Sequence, residues 1–395
     1  MNNINNVVIY MSDSIRWDYT PDEISDMGVS VKTIASSPHT PTSLASMVSG
    51  LWLPQHGVRG FTDTLTERVD TILDEFPNKG LSNVGGELND RMLGEFFNDT
   101  IYNYLFDRYP RLSLNNIEEP FCWFMRDPGG HAPYGNWDED MNALVSVPDF
   151  YSEHAGDTKY LREKYQEGLE SSVERFRKYV TSPLKERDIL DETLIIFLSD
   201  HGELLGEYGH ISQSYPISPE IVYVPTVFIH PDIDSTDAEI MSHVDLPNTI
   251  CDLADIDRLS QSDGHSVFSN NYEREHGYCL YNRPFPSFFG EFSYKVDSMW
   301  DEDGGHVFVR SNAWSNTKLL MGYLARISAG KHLRRKRNLR GIKLLFSEHE
   351  KWGKPGFSKS EADEKLQDIN AESIESVTKS MDQDTEERLK DLGYL

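Results

Sequence analysis

An α/β fold is predicted: a doubly wound, mostly parallel sheet flanked by helices, with a small C-terminal α+β subdomain. Three observations predict it. Short apolar runs recur through the first 270 residues, with helical spacing between them. Each run stops abruptly on polar residues, and the carboxyl ends of strands are where open α/β sheets bind ligands. From about residue 270 the pattern shifts to short alternating segments. The expected division is a main domain over 1–270 and a subdomain over 271–395 with short antiparallel strands, a basic cluster and a terminal helix.

The central run is Leu194-Ile195-Ile196-Phe197-Leu198, which ends on Ser199-Asp200-His201-Gly202. Five successive apolar residues read as a strand buried on both faces. Asn6 to Met11 reads the same way and ends on Ser12-Asp13-Ser14. Pro120 to Arg126 is a third strand, running into a Gly- and Pro-rich loop that carries Asp127 and His131. Val222 to Ile229 is a fourth. Between them, Thr42 to Val48 turns helical, with Gly50 as its stop. The segment 65–112 reads as helical with loops, with Leu93, Phe96 and Phe97 as core candidates, and 149–185 as one helix. A helix is expected from His243 to about Ala254, and a short amphipathic one at 386–395. Arg16 and Asp18 are expected to form a structural ion pair.

The chain has 395 residues, with 65 acidic against 38 basic side chains and a net charge of −27. That excess argues against nucleic-acid binding, which needs cationic surface to meet phosphates. It suits the acidic proteome of a halophilic archaeon. Cys122, Cys251 and Cys279 are too few and too scattered for a disulfide framework or a zinc knuckle. No apolar run reaches the roughly 18 residues of a membrane span, and no signal peptide is visible. The expectation is a cytoplasmic protein. One exception to the acidity, the run Lys331 to Arg337, reads as a solvated helix face, a peripheral membrane contact or a rim for an anionic substrate.

Asp13, Thr40, Asp127, His131, Asp200, His201 and His210 all sit on loops leaving strands or entering helices. Carboxylates suit Mg, Ca or Mn ions, and mixed Asp and His suit Zn. Asp13, Asp200 and His201, with the Thr40 hydroxyl, could hold one divalent ion. Asp127 and His131, completed by His210 or His265, could hold a second. Thr40 lies at the start of a helix, where amides and dipole favour an anion. An ion there would make Thr40 a nucleophile. His131 and His210 could instead contact the substrate oxyanion or protonate a leaving group.

In this ordered set the chain resembles the sulfatase-like members of the alkaline phosphatase superfamily. The resemblance runs over most of residues 5–270. It rests on Asp13 with Ser14-Ile15-Arg16-Trp17-Asp18 after it and on Thr40 to Gly50 in the nucleophile segment. It continues with His131-Ala132-Pro133-Tyr134, with Ser199 to Glu203 and with His243 to Thr249. The closing Leu392-Gly393-Tyr394 is similar to the ends of some archaeal members. The resemblance implies a sulfatase-like fold and metal-assisted attack at sulfur or phosphorus. It departs from the usual pattern at four positions. Thr40 stands where sulfatases carry a Cys or Ser matured to formylglycine, and a Thr cannot be so converted. Thr42 replaces Pro and Leu44 replaces Arg. Ser14 replaces a second acid expected after Asp13, which removes a ligand of the calcium site. Threonine is the nucleophile of related phosphodiesterases and phospho-group transferases. In the phosphodiesterases an Asp-x-x-x-His pair like Asp127 and His131 binds one of two zinc ions.

The function expected is a metal-dependent hydrolase that cleaves a sulfate or phosphate ester of a small molecule or glycan through Thr40. A phosphodiesterase or phospho-group transferase is the alternative within the superfamily. A catalytically weak member that binds an anionic glycan or lipid head group is the alternative of another class.

Overall fold

The computed structural model describes residues 4–83, 105–134, 146–213, 215–285, 292–325 and 339–371, together with Ile374, Val377, Thr378 and Glu386. Seven strands form the main sheet. They are β1 (Asn6–Ser12), β2 (Val29–Ile34), β3 (Asn78–Asn83), β4 (Phe121–Asp127), β5 (Thr193–Leu198), β6 (Tyr223–Ile229) and β7 (Ile240–Ser242). Their order across the sheet is β7-β2-β6-β5-β1-β4-β3. Only β6 runs against the others, so the sheet is mostly parallel as expected.

β1 lies between β4 and β5, with Val7 opposite Cys122 on one side and Leu194 on the other. Alternation along the three middle strands feeds two cores, one on each face. Val8, Tyr10, Trp123, Met125, Ile195 and Phe197 enter one core. Val7, Ile9, Met11, Cys122, Phe124, Leu194 and Ile196 enter the other. The first face is covered by the helix Thr158–Phe176 through Leu161, Tyr165, Leu169 and Val173. The second is covered by α1 (Thr40–Ser49), through Leu44, Met47 and Val48, and by the helix Leu246–Leu253. α1 stops at Gly50, whose φ of 70° is the left-handed cap that glycine adopts without strain.

A second, antiparallel sheet of four strands follows: β8 (Gly277–Phe285), β9 (Phe292–Trp300), β10 (Gly304–Val309) and β11 (His349–Gly353). It packs directly on the first unit. Cys279, Tyr281, Tyr294 and Val296 share a core with Tyr10 and Trp123. The Leu280 N–H donates to the Ser36 carbonyl at 2.8 Å.

Several local expectations change. The region 149–185 is not one helix but Val147–His154 and Thr158–Phe176, the latter continued by a wide turn and the short helix Ser182–Glu186. Asp157 makes the break, because its carboxylate accepts the amides of Lys159 and Tyr160 and so starts a new helix. Within 65–112 the chain forms β3, a strand with Leu81 as its single large apolar residue. β2 and β7 likewise gave no clear apolar run. Leu93, Phe96, Phe97, the run Lys331 to Arg337 and the stretch 387–395 lie outside the described residues. Among the described residues no helix is long and apolar enough to cross a membrane.

His56 supplies a pH-dependent tie beneath α1. Its Nδ1 accepts the Val58 N–H at 3.1 Å, and its Nε2 donates to Ser46 Oγ at 3.2 Å. Burial pushes its pKa down from 6.5 to about 3. The unfolded chain therefore takes up this proton first, and the stability is complete above 6.5 and lost as pH falls toward 3. His56→Gln is expected to flatten the dependence of the thermal midpoint on pH across that window; a slope as steep as the parent's would assign the acid lability elsewhere.

Candidate functional site

Two strand ends and one helix start converge. β1 ends at Ser12 and delivers Asp13; β5 ends at Leu198 and delivers Asp200 and His201; α1 begins at Thr40. The turns that allow this are tight. A Cβ on Gly129 would stand 2.3 Å from Ser12 Oγ and 2.5 Å from the Asp13 carbonyl, and φ there is +47°. A Cβ on Gly202 would meet the Glu220 carbonyl at 1.9 Å. Both positions require glycine.

Asp13, Thr40, Asp200 and His201 are all buried. One ligand atom from each of Asp13, Asp200 and His201 lies within 4.8 Å of the others. Thr40 Oγ1 stands 3.2 Å from His201 Nε2, and the same nitrogen stands 3.3 Å from Asp200 Oδ2. His201 Nδ1 donates to the Gly202 carbonyl at 3.0 Å, so Nε2 turns its lone pair toward Thr40 and Asp200. Ser14 occupies the left-handed region, with φ 62°. Its N–H donates to Asp200 Oδ1 at 3.0 Å and its Oγ to Asp13 Oδ1 at 2.7 Å. The second acid of the usual pattern is thus replaced by a residue that orients the other two.

Arg126, the penultimate residue of β4, closes onto Asp13 Oδ2. Burial pushes the Asp13 carboxyl up, but Arg126, aided by His131 and His201, outweighs it and holds the group below its usual value. Asp200 has no guanidinium, and burial together with the Asp13 charge pushes it up. Asp200 Oδ2 is buried without a hydrogen bond and faces an imidazole lone pair. Two electron-pair donors face each other there, an arrangement that a cation between them relieves. Asp13, Asp200 and His201 therefore fit a divalent ion.

The remaining expected residues have other partners. Asp127 is bridged by Arg175, Nε to Oδ2 at 2.5 Å and Nη2 to Oδ1 at 3.1 Å, with both side chains buried. His131 donates from Nδ1 to its neighbour's carbonyl, Ala132 O, at 2.6 Å, and its Nε2 lies 3.3 Å from Gln213 Nε2. His210 Nε2 meets the Gly341 carbonyl at 3.1 Å. The His265 amide donates to Asp245. Among the described residues Asp127, His131 and His210 form no second group of metal-ligating atoms, because Arg175 has taken the carboxylate. Arg16 pairs with Asp18 as expected and also with Glu207.

Arg126, Arg175 and Glu203 escaped the sequence reading, which gave Ser14 only as a missing acid. A cation closing an otherwise apolar strand is the one signal Arg126 offered. Arg175 interrupts the apolar stripe of its helix in the same way. Glu203 Oε1 accepts the Tyr134 and Tyr151 hydroxyls at 2.8 Å each. Burial pushes its carboxyl up to about 8 against those two bonds.

The Thr40 hydroxyl at a helix start thus faces buried carboxylates and an imidazole at the carboxyl ends of the strands of an α/β sheet. A family model described as Sulfatase matches residues 103–256. The chain is 30% identical to the low-salt glycan biosynthesis sulfotransferase Agl7 of Haloferax volcanii, over 99% of this chain and 96% of that protein. The chain belongs to the sulfatase family. Its fold is shared with the phosphonate monoester hydrolase of Agrobacterium radiobacter, with a TM-score of 0.57, 14% identity and coverage of 95% and 100% of the two chains. It is also shared with a protein solved with its substrate D-glucosamine-2-N,6-O-disulfate, with a TM-score of 0.56, 13% identity and coverage of 99% and 98%.

Replacing Asp127 by Leu leaves the Arg175 guanidinium buried and unpaired. The expected loss is about 3–5 kcal/mol in chemical denaturation, with bound metal unchanged by elemental analysis. A fall in metal content at unchanged stability would return Asp127 to the ligand set.

Proposed function

We propose that this chain transfers a sulfuryl or phosphoryl group from an anionic ester, with glycan sulfate esters as the preferred substrate class. The observation that carries this reading is the Thr40 hydroxyl, at the first position of α1 and 3.2 Å from His201 Nε2 inside the Asp13, Asp200 and His201 cluster. The full-length likeness to a protein named as a glycan sulfotransferase supports the glycan and the sulfur.

In this reading the one lone pair of His201 Nε2 serves the ion, Thr40 Oγ–H gives its proton to the Asp200 carboxylate, and the oxygen attacks sulfur or phosphorus in line with the leaving oxygen. A bond forms from Thr40 Oγ to the central atom, and the ester's bridging bond breaks. The leaving alkoxide takes a proton, with His131 as the neighbouring group able to guide it. Water, or an acceptor hydroxyl in a transferase, then attacks the same atom and releases Thr40. The amides of the first turn of α1 offset the charge that gathers on the transferred group. Asp13, Asp200 and His201 would hold a divalent ion, which when bound lowers the pKa of a nearby hydroxyl and screens the charge of the attacked group. His210, bonded to Gly341, we assign to docking the helix Leu339–Phe346 rather than to the chemistry.

One observation favours a second reading, a weakly catalytic member that binds anionic glycans. Arg126 and Ser14 already occupy both Asp13 oxygens, and the guanidinium puts positive charge beside the ion's place. Metal content separates the two readings.

Thr40→Ala should lower turnover of aryl sulfates and phosphate diesters by roughly 10³-fold or more at unchanged circular dichroism; undiminished turnover removes Thr40 as nucleophile. Asp200→Asn should lower bound metal by elemental analysis, and an unchanged content speaks for the binding module. The net charge of −27 and the Haloferax relative support a protein built for concentrated salt. Secondary structure is expected to weaken when KCl is removed from multimolar to millimolar; a fold indifferent to salt counts against that adaptation.

A further inference from the structure

His39 stands directly before Thr40, as the N-cap residue of the ten-residue helix α1, yet its side chain makes no capping bond. It is 3% exposed, and neither Nδ1 nor Nε2 has a hydrogen-bond partner. The ring meets Phe61 edge-on at 5.0 Å and Tyr281 at 6.2 Å. Arg283 lies on β8 two residues from Tyr281, so that the two side chains leave the same face of the strand, and its positive charge disfavours a charged His39. Arg283 is itself buried.

An imidazole carries one N–H and one lone pair, and leaving both unmet in the interior costs free energy. Between two aromatic rings a phenyl group would pack without that cost. A polar ring kept there at a penalty points to a partner supplied from outside the chain. Its surroundings name that partner's chemistry. The amino end of α1, an imidazole donor next to Thr40 in the chain, and a buried guanidinium two residues along β8 from the ring that meets His39 belong to one region. All three favour the oxygens of a tetrahedral anion.

We propose that His39 and Arg283 form a binding subsite for the oxygen atoms of the sulfate or phosphate group, on the side of Thr40 contributed by the second sheet. His39 donates a ring N–H to one oxygen and Arg283 supplies the cationic contact. The ester group is thereby held between the Asp13, Asp200 and His201 cluster and β8. The subsite rests on the reading of Thr40 as the group that faces the ester. It makes His39 and Arg283 substrate-binding residues, with no proton transferred by either.

The test is titration of the full chain with inorganic sulfate, and separately with inorganic phosphate, by calorimetry. The proteins are the parent, His39→Phe, His39→Gln, Arg283→Gln and Thr40→Ala. Thermal midpoints are recorded without anion. His39→Phe and Arg283→Gln are each expected to weaken anion binding by about tenfold or more, the loss of one hydrogen bond to a charged group. His39→Gln, which keeps a donor, should retain part of the affinity. Without anion, His39→Phe should unfold at the parent's midpoint or above it, because an unmet polar group has been removed. A His39→Phe protein that binds sulfate and phosphate as the parent does, with a lowered midpoint, makes His39 a structural residue and overturns the proposal. A parent chain that binds neither anion overturns it as well. The Thr40 reading fails separately: an active Thr40→Ala protein removes the nucleophile and leaves the subsite standing if His39→Phe has lost the anion.

Discussion

The cost of burying carboxylates at strand ends organises this molecule. Asp13 and Asp127 leave adjacent parallel strands, β1 and β4, and neither side chain is exposed to solvent. Each is met by its own guanidinium, Arg126 for Asp13 and Arg175 for Asp127. A charge taken out of water without a partner is among the most destabilising defects a fold can carry. The two pairs therefore fix how β4 and the helix Thr158–Phe176 sit against β1, and with them the loop that carries His131. Asp200 lies outside this pairing. Its unbonded Oδ2 is the place where the fold leaves negative charge unanswered, and a cation or a substrate proton has a reason to go there.

The same logic explains the departures from the common family pattern. Ser14 stands in place of an acid, and the Asp13–Arg126 pair has taken up part of the charge balance that a further carboxylate would shift. Ser14 then bonds to both remaining carboxylates and so replaces a charge by two hydrogen bonds. Under the proposed function, with Thr40 as the hydroxyl, no maturation of the nucleophile would be required. The pocket is consequently less negative than one built from three acids.

The second sheet reaches the residue that precedes Thr40. Tyr281 packs against His39, and Arg283 lies close enough for its charge to act on that ring. The core continues from Tyr10 to Tyr294, so the sheet is held by buried apolar surface rather than by a flexible connection. A residue on β8 can therefore be held near Thr40 as firmly as one on the first helix.

Much was readable without coordinates. The middle strands β1, β4 and β5 are apolar enough to announce themselves, since both faces are covered and no polar alternation is required. The polar residues at their ends pointed to the right edge of the sheet, and the Thr40 segment carried its own helix start and stop. β2, β3 and β7 were not legible, because outer strands with few apolar residues have no periodicity distinct from loop. Asp127 looked like a ligand because spacing along a chain contains no information about which cation packs against it. Arg175 answers it from 48 positions away. His39 was passed over for the same reason, as its burial and its lack of partners exist only once Phe61 and Tyr281 have closed around it. Local sequence thus determined the elements and the chemical types at their ends. Only tertiary packing decided which of those groups neutralise one another and which are left facing Thr40, since Coulomb and hydrogen-bond energies depend on distances that the chain order does not specify.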